Sequence, residues 1–211
     1  MRDHYPTYVV DDDPQIRDSI SILLDLRGHA VGGFASGDEF LSALPLLDAG
    51  AILLDMRMPG SDGVAVLERL QQRSVGWPVI GMTGHGEVPL AVNAMKLGAI
   101  EFLEKPFREE ELTDALDRAH ARLRAAEQEE ASRSEAVTRV RSLSARELQM
   151  LQALLNGLSN KQIANALEIS IRTVEMHRAS LMRKLQARSV ADAVILATEA
   201  GMRRGPQLQP D

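Results

Sequence analysis

The sequence predicts an α/β domain built on a five-stranded parallel, doubly wound sheet, followed by a smaller all-α domain of four helices. Three observations predict it. The first half alternates short apolar runs with amphipathic stretches, five times over. The second half has no such strands; four serines there each precede an apolar run at helical spacing. Charge also changes sign between the halves: residues 1–125 hold 20 acids and 12 bases, and residues 139–205 hold 5 acids and 11 bases. Such a reversal points to two modules with different partners.

The elements follow in order. Tyr8-Val9-Val10 reads as a strand, and Asp13-Pro14 as an N-cap with proline in the first turn of a helix carrying Ile16, Ile20, Leu23 and Leu24. Ala30-Val31 reads as a weak strand and residues 37–46 as a helix. The unbroken apolar run Ala51-Ile52-Leu53-Leu54 is the pattern of a strand buried on both faces. Residues 62–73 read as a helix with Val66, Leu67 and Leu70 inward. Pro78 to Met82 reads as a strand, weakened by Gly81, residues 87–97 as a helix, and Ile100 to Leu103 as the fifth strand. The last helix of this half starts near Glu109, with acids in its first turn.

In the second half, Ser144-x-x-Glu147 and Ser159-x-x-Gln162 are capping boxes, Ser170 is a cap, and Ser189-x-x-Asp192 resembles a fourth start. Gly157 stands where the first of these helices should stop. Between the halves, positions 112, 116, 119, 123 and 126 form a seam of Leu, Leu, Ala, Leu and Ala, which runs on through Glu130 and Arg133 to Val137 and Val140. Two readings stand open: a helix that pairs with a partner chain, or Leu112 to Leu123 covering their own sheet with the remainder solvated.

Several classes are excluded. The chain has no cysteine, so disulfides, thiolate metal sites and thiol nucleophiles are ruled out. "MRDHYPTYVVDDDP" holds no apolar signal region and no apolar run is long enough to span a bilayer, so the expectation is a cytoplasmic protein.

Parallel sheets of this kind form sites at the carboxyl ends of their strands. Asp11 and Asp12 end the first strand, Asp55 the third and Thr83 the fourth, and Lys105 follows the fifth. Crowded carboxylates call for a cation, and hard oxygen donors that leave water positions open suit Mg²⁺. The Arg57 main-chain carbonyl is placed to complete that shell. Lys105 supplies a point charge and Thr83 a hydroxyl, which suit a phosphoryl group, and Asp55 would be the nucleophile that forms an acyl phosphate. Arg57 and His85 each lie two residues past a site residue, so both are expected to tune the lifetime of that group. Phosphatases acting through an aspartyl phosphate place an acid two residues past the nucleophile; Arg57 stands there, and no turnover is expected beyond Mg²⁺-dependent self-phosphorylation and slow self-dephosphorylation.

"VVDDD", "LLDMRMPGSDG", "MTGHG" and "FLEKPF" resemble the signature of response-regulator receiver domains, over roughly residues 5–125. The resemblance implies a flavodoxin-like fold, Asp55 as phosphoacceptor, Mg²⁺ held by Asp12, Asp55 and the Arg57 carbonyl with Asp11 assisting through water, phosphoryl contacts from Thr83 and Lys105, and Phe102 as a switch aromatic that follows Thr83. Residues 143–201 resemble the LuxR-type helix-turn-helix, and the whole chain is similar to the NarL/FixJ family, with "GLSNKQIA" and "ISIRTVEMHRASLMRKL" nearest its FixJ branch. Proline often follows the serine that opens the recognition helix in that branch; Ile171 stands there instead.

In a helix-turn-helix the second helix enters the major groove. A wheel centred on Val174, Leu181 and Leu185 sets Arg172, Met176, Ala179 and Arg183 opposite, flanked by Thr173 and Glu175. Arg172 suits guanine, and Met176 and Ala179 suit thymine methyls. Glu175 suits cytosine N4 or an intrahelical pair with Arg172 or Arg178, and His177 is read as packing. Asn160 and Lys161 suit phosphate contacts, and Lys184 and Arg188 widen the positive footprint. Val190, Val194 and Leu196 resemble the family's dimer surface.

The domains expected are a receiver at 1–125, a helical linker at 126–141, the DNA-binding domain at 142–203 and a tail at 204–211. The function implied is a two-component response regulator: a histidine kinase phosphorylates Asp55, the receivers form a homodimer, and the chain binds promoter DNA to regulate transcription, with RNA polymerase as a further partner. The alternative is a phosphorylation-independent DNA-binding protein using the receiver for dimerisation.

Overall fold

A computed structural model of the chain describes residues 5–84 and 88–205. Residues 206–211 of the expected tail at 204–211 and the His85 site lie outside the described residues. The chain divides into two compact units, Met1–Ala126 and Glu127–Asp211.

The first unit is a parallel sheet of β1 (Thr7–Val10), β2 (Val31–Phe34), β3 (Ala51–Asp55), β4 (Val79–Thr83) and β5 (Glu101–Glu104), in the order β2-β1-β3-β4-β5. Helices α1 (Pro14–Leu26), α2 (Gly37–Ala43), α3 (Gly63–Gln72), α4 (Val88–Lys96) and α5 (Glu109–Arg141) connect and flank the strands. Each start has a local cause. The Asp13 carboxylate accepts from the N–H of Gln15 at 2.8 Å, with Pro14 in the first turn, and Ser36 and Asp62 cap α2 and α3.

Strand alternation divides the core into two layers. Tyr8, Val10, Ile52 and Leu54 point to one face, where Phe40, Val66, Leu67 and Ala94 cover them. Val9, Leu53, Ile80 and Met82 point to the other, against Ile20, Leu24, Leu112 and Leu116. Ala51 to Leu54 are all fully buried, which explains the unbroken apolar run. Truncating Leu53 or Leu54 to Ala there would cost about 2–5 kcal/mol.

Two expected elements shift. The second strand runs Val31–Phe34, past the expected Ala30-Val31, since its pairing with β1 is by backbone and needs no side chain from Gly32 or Gly33. The expected helix 37–46 ends at Ala43 and tightens into a 3₁₀ turn, Leu44–Leu46, because Pro45 has no N–H to extend an α-helix.

The second unit holds the end of α5 and α6 (Ala145–Leu155), α7 (Asn160–Ala166), α8 (Ile171–Leu185) and α9 (Val190–Glu199). All four serine caps form, three of them as full capping boxes. Met150, Leu151, Ile163, Val174, Leu181, Leu185, Ala193 and Ala197 make one buried core.

The linker helix and its seam come apart in their readings. α5 is a single helix, but Leu112, Leu116, Ala119 and Leu123 are buried within the first unit, while Val140 packs on the core of the second. Ala126, Glu130 and Arg133 of the seam are exposed, and the last two are charged. Both ends of the seam thus pack on cores of this chain. On α9, Val190, Val194 and Leu196 likewise pack on their own core, so the large apolar side chain left outward is Ile195. No helix among the described residues is long and apolar enough to cross a membrane.

Candidate functional site

The carboxyl ends of β1, β3 and β4 and the residue after β5 bring Asp11, Asp55, Thr83 and Lys105 to one edge of the sheet, as the sequence pattern required. Asp11 is fully buried and Asp55 nearly so, while Asp12 is exposed. Oxygens of the three carboxylates lie within 4.8 Å of one another. Lys105 Nζ donates to Asp11 Oδ2 at 2.7 Å and to Asp55 Oδ2 at 2.8 Å. A single ammonium thus bridges two carboxylates that would otherwise repel.

The loops complete the pocket. The N–H of Asp13 donates to Asp11 Oδ1 at 2.9 Å, and the N–H of Arg57 to Asp55 Oδ1 at 3.0 Å. Lys105 N donates to the Thr83 carbonyl at 2.7 Å, which ties the two strand ends together. Thr83 itself is buried, with its hydroxyl 3.4 Å from the Gly84 carbonyl. Burial raises the pKa of Asp11, against the opposing pull of its hydrogen bond to Lys105. Burial acts to lower that of Lys105, but its hydrogen bonds to Asp11 and Asp55 outweigh this, so it is raised and stays charged. An all-oxygen donor set beside a lysine fits a hard divalent cation and a phosphoryl group.

Sequence reasoning missed Arg17. Its Nη1 donates to the Asp11 carbonyl at 2.7 Å, and its stem lies over Gly33, 3.5 Å from where a Cβ would stand. Nothing in the one-dimensional pattern marks that contact. Phe102 was expected as a switch; the structure sets its ring over Gly81, directly across the β4–β5 pair.

In the second unit, Arg172, Glu175, Met176, Ala179 and Arg183 are exposed on α8, as the wheel required. Glu175 takes no ion pair with Arg172 or Arg178 among the described residues; the Arg178 guanidinium instead donates to Asn160 Oδ1 at 2.8 Å. Asn160 therefore joins α7 to α8, and Lys161 beside it is exposed. Thr173 is half-buried, with its hydroxyl 2.8 Å from that of Ser170.

Lys184, expected in the positive footprint, donates to Glu147 Oε2 at 2.7 Å. The Glu147 side chain is only 4% exposed and also accepts from the N–H and hydroxyl of Ser144 and from the Ser180 hydroxyl. These bonds, that from Lys184 first, hold its pKa down at about 2. The capping box identified Glu147, but its second partner surface on α8 lies 37 residues away in sequence and left no local signal.

Comparison with known proteins agrees over both units. Residues 7–117 match the family described as response regulator receiver domain, and residues 141–197 match bacterial regulatory proteins of the luxR family. The transcriptional regulatory protein FixJ of Bradyrhizobium diazoefficiens is 48% identical over 195 residues, 92% of this chain and 95% of that one. FixJ of Rhizobium meliloti is 41% identical over 93% of this chain and 97% of its own length. Among solved structures, the response regulator StyR superposes with a TM-score of 0.77 at 40% identity, covering 92% of this chain and 99% of that one. Full-length FixJ from B. japonicum gives 0.60 at 47%, covering 94% and 98%.

Proposed function

Since the chain belongs to the FixJ-type response regulators, in which a receiver is joined to a LuxR-type DNA-binding domain, and is a phosphorylation-regulated transcription regulator, we propose that Asp55 takes the phosphoryl group. The observation that carries this is Lys105 Nζ bridging Asp11 and Asp55 at the strand ends. An Asp55 oxygen attacks the phosphorus of a histidine kinase's phosphohistidine; the acyl phosphate forms and the imidazole leaves.

Asp11, Asp12, Asp55 and the Arg57 carbonyl are the residues that would hold Mg²⁺. That ion would supply charge neutralisation for the phosphoryl oxygens. Lys105 then exchanges its Asp55 contact for a phosphoryl oxygen, and the Thr83 hydroxyl donates to another. Phe102 follows Thr83. The exposed Arg57 side chain, two residues past Asp55, slows the approach of attacking water and with it the self-dephosphorylation; we assign His85 the same role.

The receiver face that we assign to homodimer formation is α4 beside β5. Val88, Val92 and Met95 are 70%, 50% and 49% exposed there, with Phe102 at the edge. Exposed apolar residues in such a cluster favour a partner surface. Helix α8 reads promoter DNA through Arg172, Thr173, Glu175, Met176, Ala179 and Arg183, with Asn160 and Lys161 toward phosphates. RNA polymerase is the further partner at the promoter, and the cytoplasm is the place of action. The functional divisions we assign are a receiver at 1–125, a helical linker at 126–141 and a DNA-binding domain at 142–203.

Acetyl phosphate with Mg²⁺ tests the reading by mass spectrometry. One added phosphoryl group is expected on the wild type and none on Asp55→Ala. No gain on the wild type, or a gain retained in Asp55→Ala, defeats it and leaves a phosphorylation-independent DNA-binding protein.

A further inference from the structure

The last turns of α5 belong to the unit that carries the recognition helix. Ala136 is buried there, and Val140 and Leu143 pack on its core. Ser132, Glu135, Ala136 and Arg139 of α5 line a small crevice with Leu196 and Glu199 of α9.

Arg139 does more than fill space. Its Nη1 donates to the Leu185 main-chain carbonyl at 3.0 Å, across 46 positions of sequence. Leu185 is the last residue of α8, where the final carbonyls have no partner within the helix. The turn after it satisfies some of them: Gln186, left-handed at φ 54°, and Ala187 return their N–H groups to Arg183 and Met182. Arg139 takes the Leu185 carbonyl, and a cation at a helix C-terminus also meets the negative end of the helix dipole. On its other side, Nη2 donates to Glu135 Oε1 at 2.6 Å, which fixes the guanidinium on its own helix. The Arg139 side chain is only 25% exposed, so it is engaged with protein rather than available to a phosphate.

We propose that Arg139 is a positioning residue for the recognition helix: it clamps the C-terminal end of α8 so that the opposite half of the helix meets base edges in register. The proposal rests on the reading of α8 as the DNA-reading helix. Base-edge contacts require a closely set helix, whereas phosphate contacts tolerate displacement, so the clamp acts on sequence discrimination more than on overall affinity.

The test uses the full chain, an operator selected from random DNA pools, and non-specific competitor DNA. Loss of a charge-assisted bond in Arg139→Met should lower the specific-to-non-specific affinity ratio roughly tenfold. The slope of log affinity against log salt should stay unchanged, and Arg139→Lys should restore part of the ratio. A ratio equal to wild type in Arg139→Met overturns the proposal. So does a salt slope reduced by about one, which would make Arg139 a phosphate ligand. Should Arg139→Met fail to fold by circular dichroism, Arg139→Ala decides, and a ratio equal to wild type in that variant overturns the clamp. A wild type that selects no operator at all fails the DNA-reading role of α8, and the clamp falls with it.

Discussion

The Phe102 ring lies across Gly81: a Cβ built on Gly81 would stand 2.5 Å from Phe102 Cζ. The two residues are paired across β4 and β5. The glycine that weakens the strand pattern is therefore the bed on which the Phe102 ring rests. Gly81→Ala should drive the ring off this bed and destabilise the receiver by about 1–2 kcal/mol. Phe102→Ala in the same background should remove most of that added cost. Urea unfolding of the two single variants and the double variant measures the coupling, and additive effects would disprove the packing account.

Lys105 is the sole ammonium bonded to both Asp11 and Asp55 among the described residues. Lys105→Met leaves a fully buried Asp11 beside a second carboxylate, which should cost about 3 kcal/mol at neutral pH. A divalent cation in the same pocket replaces part of the lost charge. Added Mg²⁺ should therefore stabilise Lys105→Met more than it stabilises the wild type. Unfolding curves at two Mg²⁺ concentrations check this; an equal gain in both proteins would place the cation elsewhere.

How much of this was legible in the sequence depends on the range of the interaction. The sheet edge was readable because each strand ends on its own polar residue: Val10 passes to Asp11, Leu54 to Asp55, Met82 to Thr83. The serine caps were readable because their partners lie three residues on. The strand through Gly32 and Gly33 was not, since backbone pairing leaves no hydrophobic period. Neither were Arg17 on the Asp11 carbonyl nor Arg139 on the Leu185 carbonyl, because a main-chain acceptor has no sequence signature. The bond from Lys184 to Glu147 was equally unreadable, because the two lie 37 residues apart, although Lys184 itself stays exposed on α8.

That last pair makes a distinction in DNA binding. Each lysine that neutralises a phosphate contributes about 0.9 to the salt slope on duplex DNA. Lys161 is exposed at the start of α7, while Lys184 is held by Glu147. Lys161→Met should lower the slope by about one, and Lys184→Met should leave it near the wild-type value. Binding isotherms from low to moderate salt give both slopes. A loss of similar size from Lys184→Met would show that Lys184 leaves Glu147 for the DNA.

Glu147 sets a pH dependence with a definite sign. Its carboxyl is held at about 2 in the fold, against an ordinary value of 4.5. The folded unit therefore binds this proton less readily than the unfolded chain does, so the ionised carboxylate stabilises the fold. That contribution is complete above 4.5 and is lost as the pH falls from 4.5 towards 2. Glu147→Gln has no such proton to bind. Its amide oxygen can still accept from Ser144 and its amide N–H can donate to the Ser180 hydroxyl, but it gives up the charge facing Lys184. The variant should therefore be less stable than wild type at neutral pH, and the gap should close as acid is added. Amide hydrogen exchange in α6 and α8 of the full chain isolates this from other carboxylates, because both proteins carry the same remainder. A gap that stays constant from neutral pH to the acid limit would show that Glu147 acts through packing and hydrogen bonds alone.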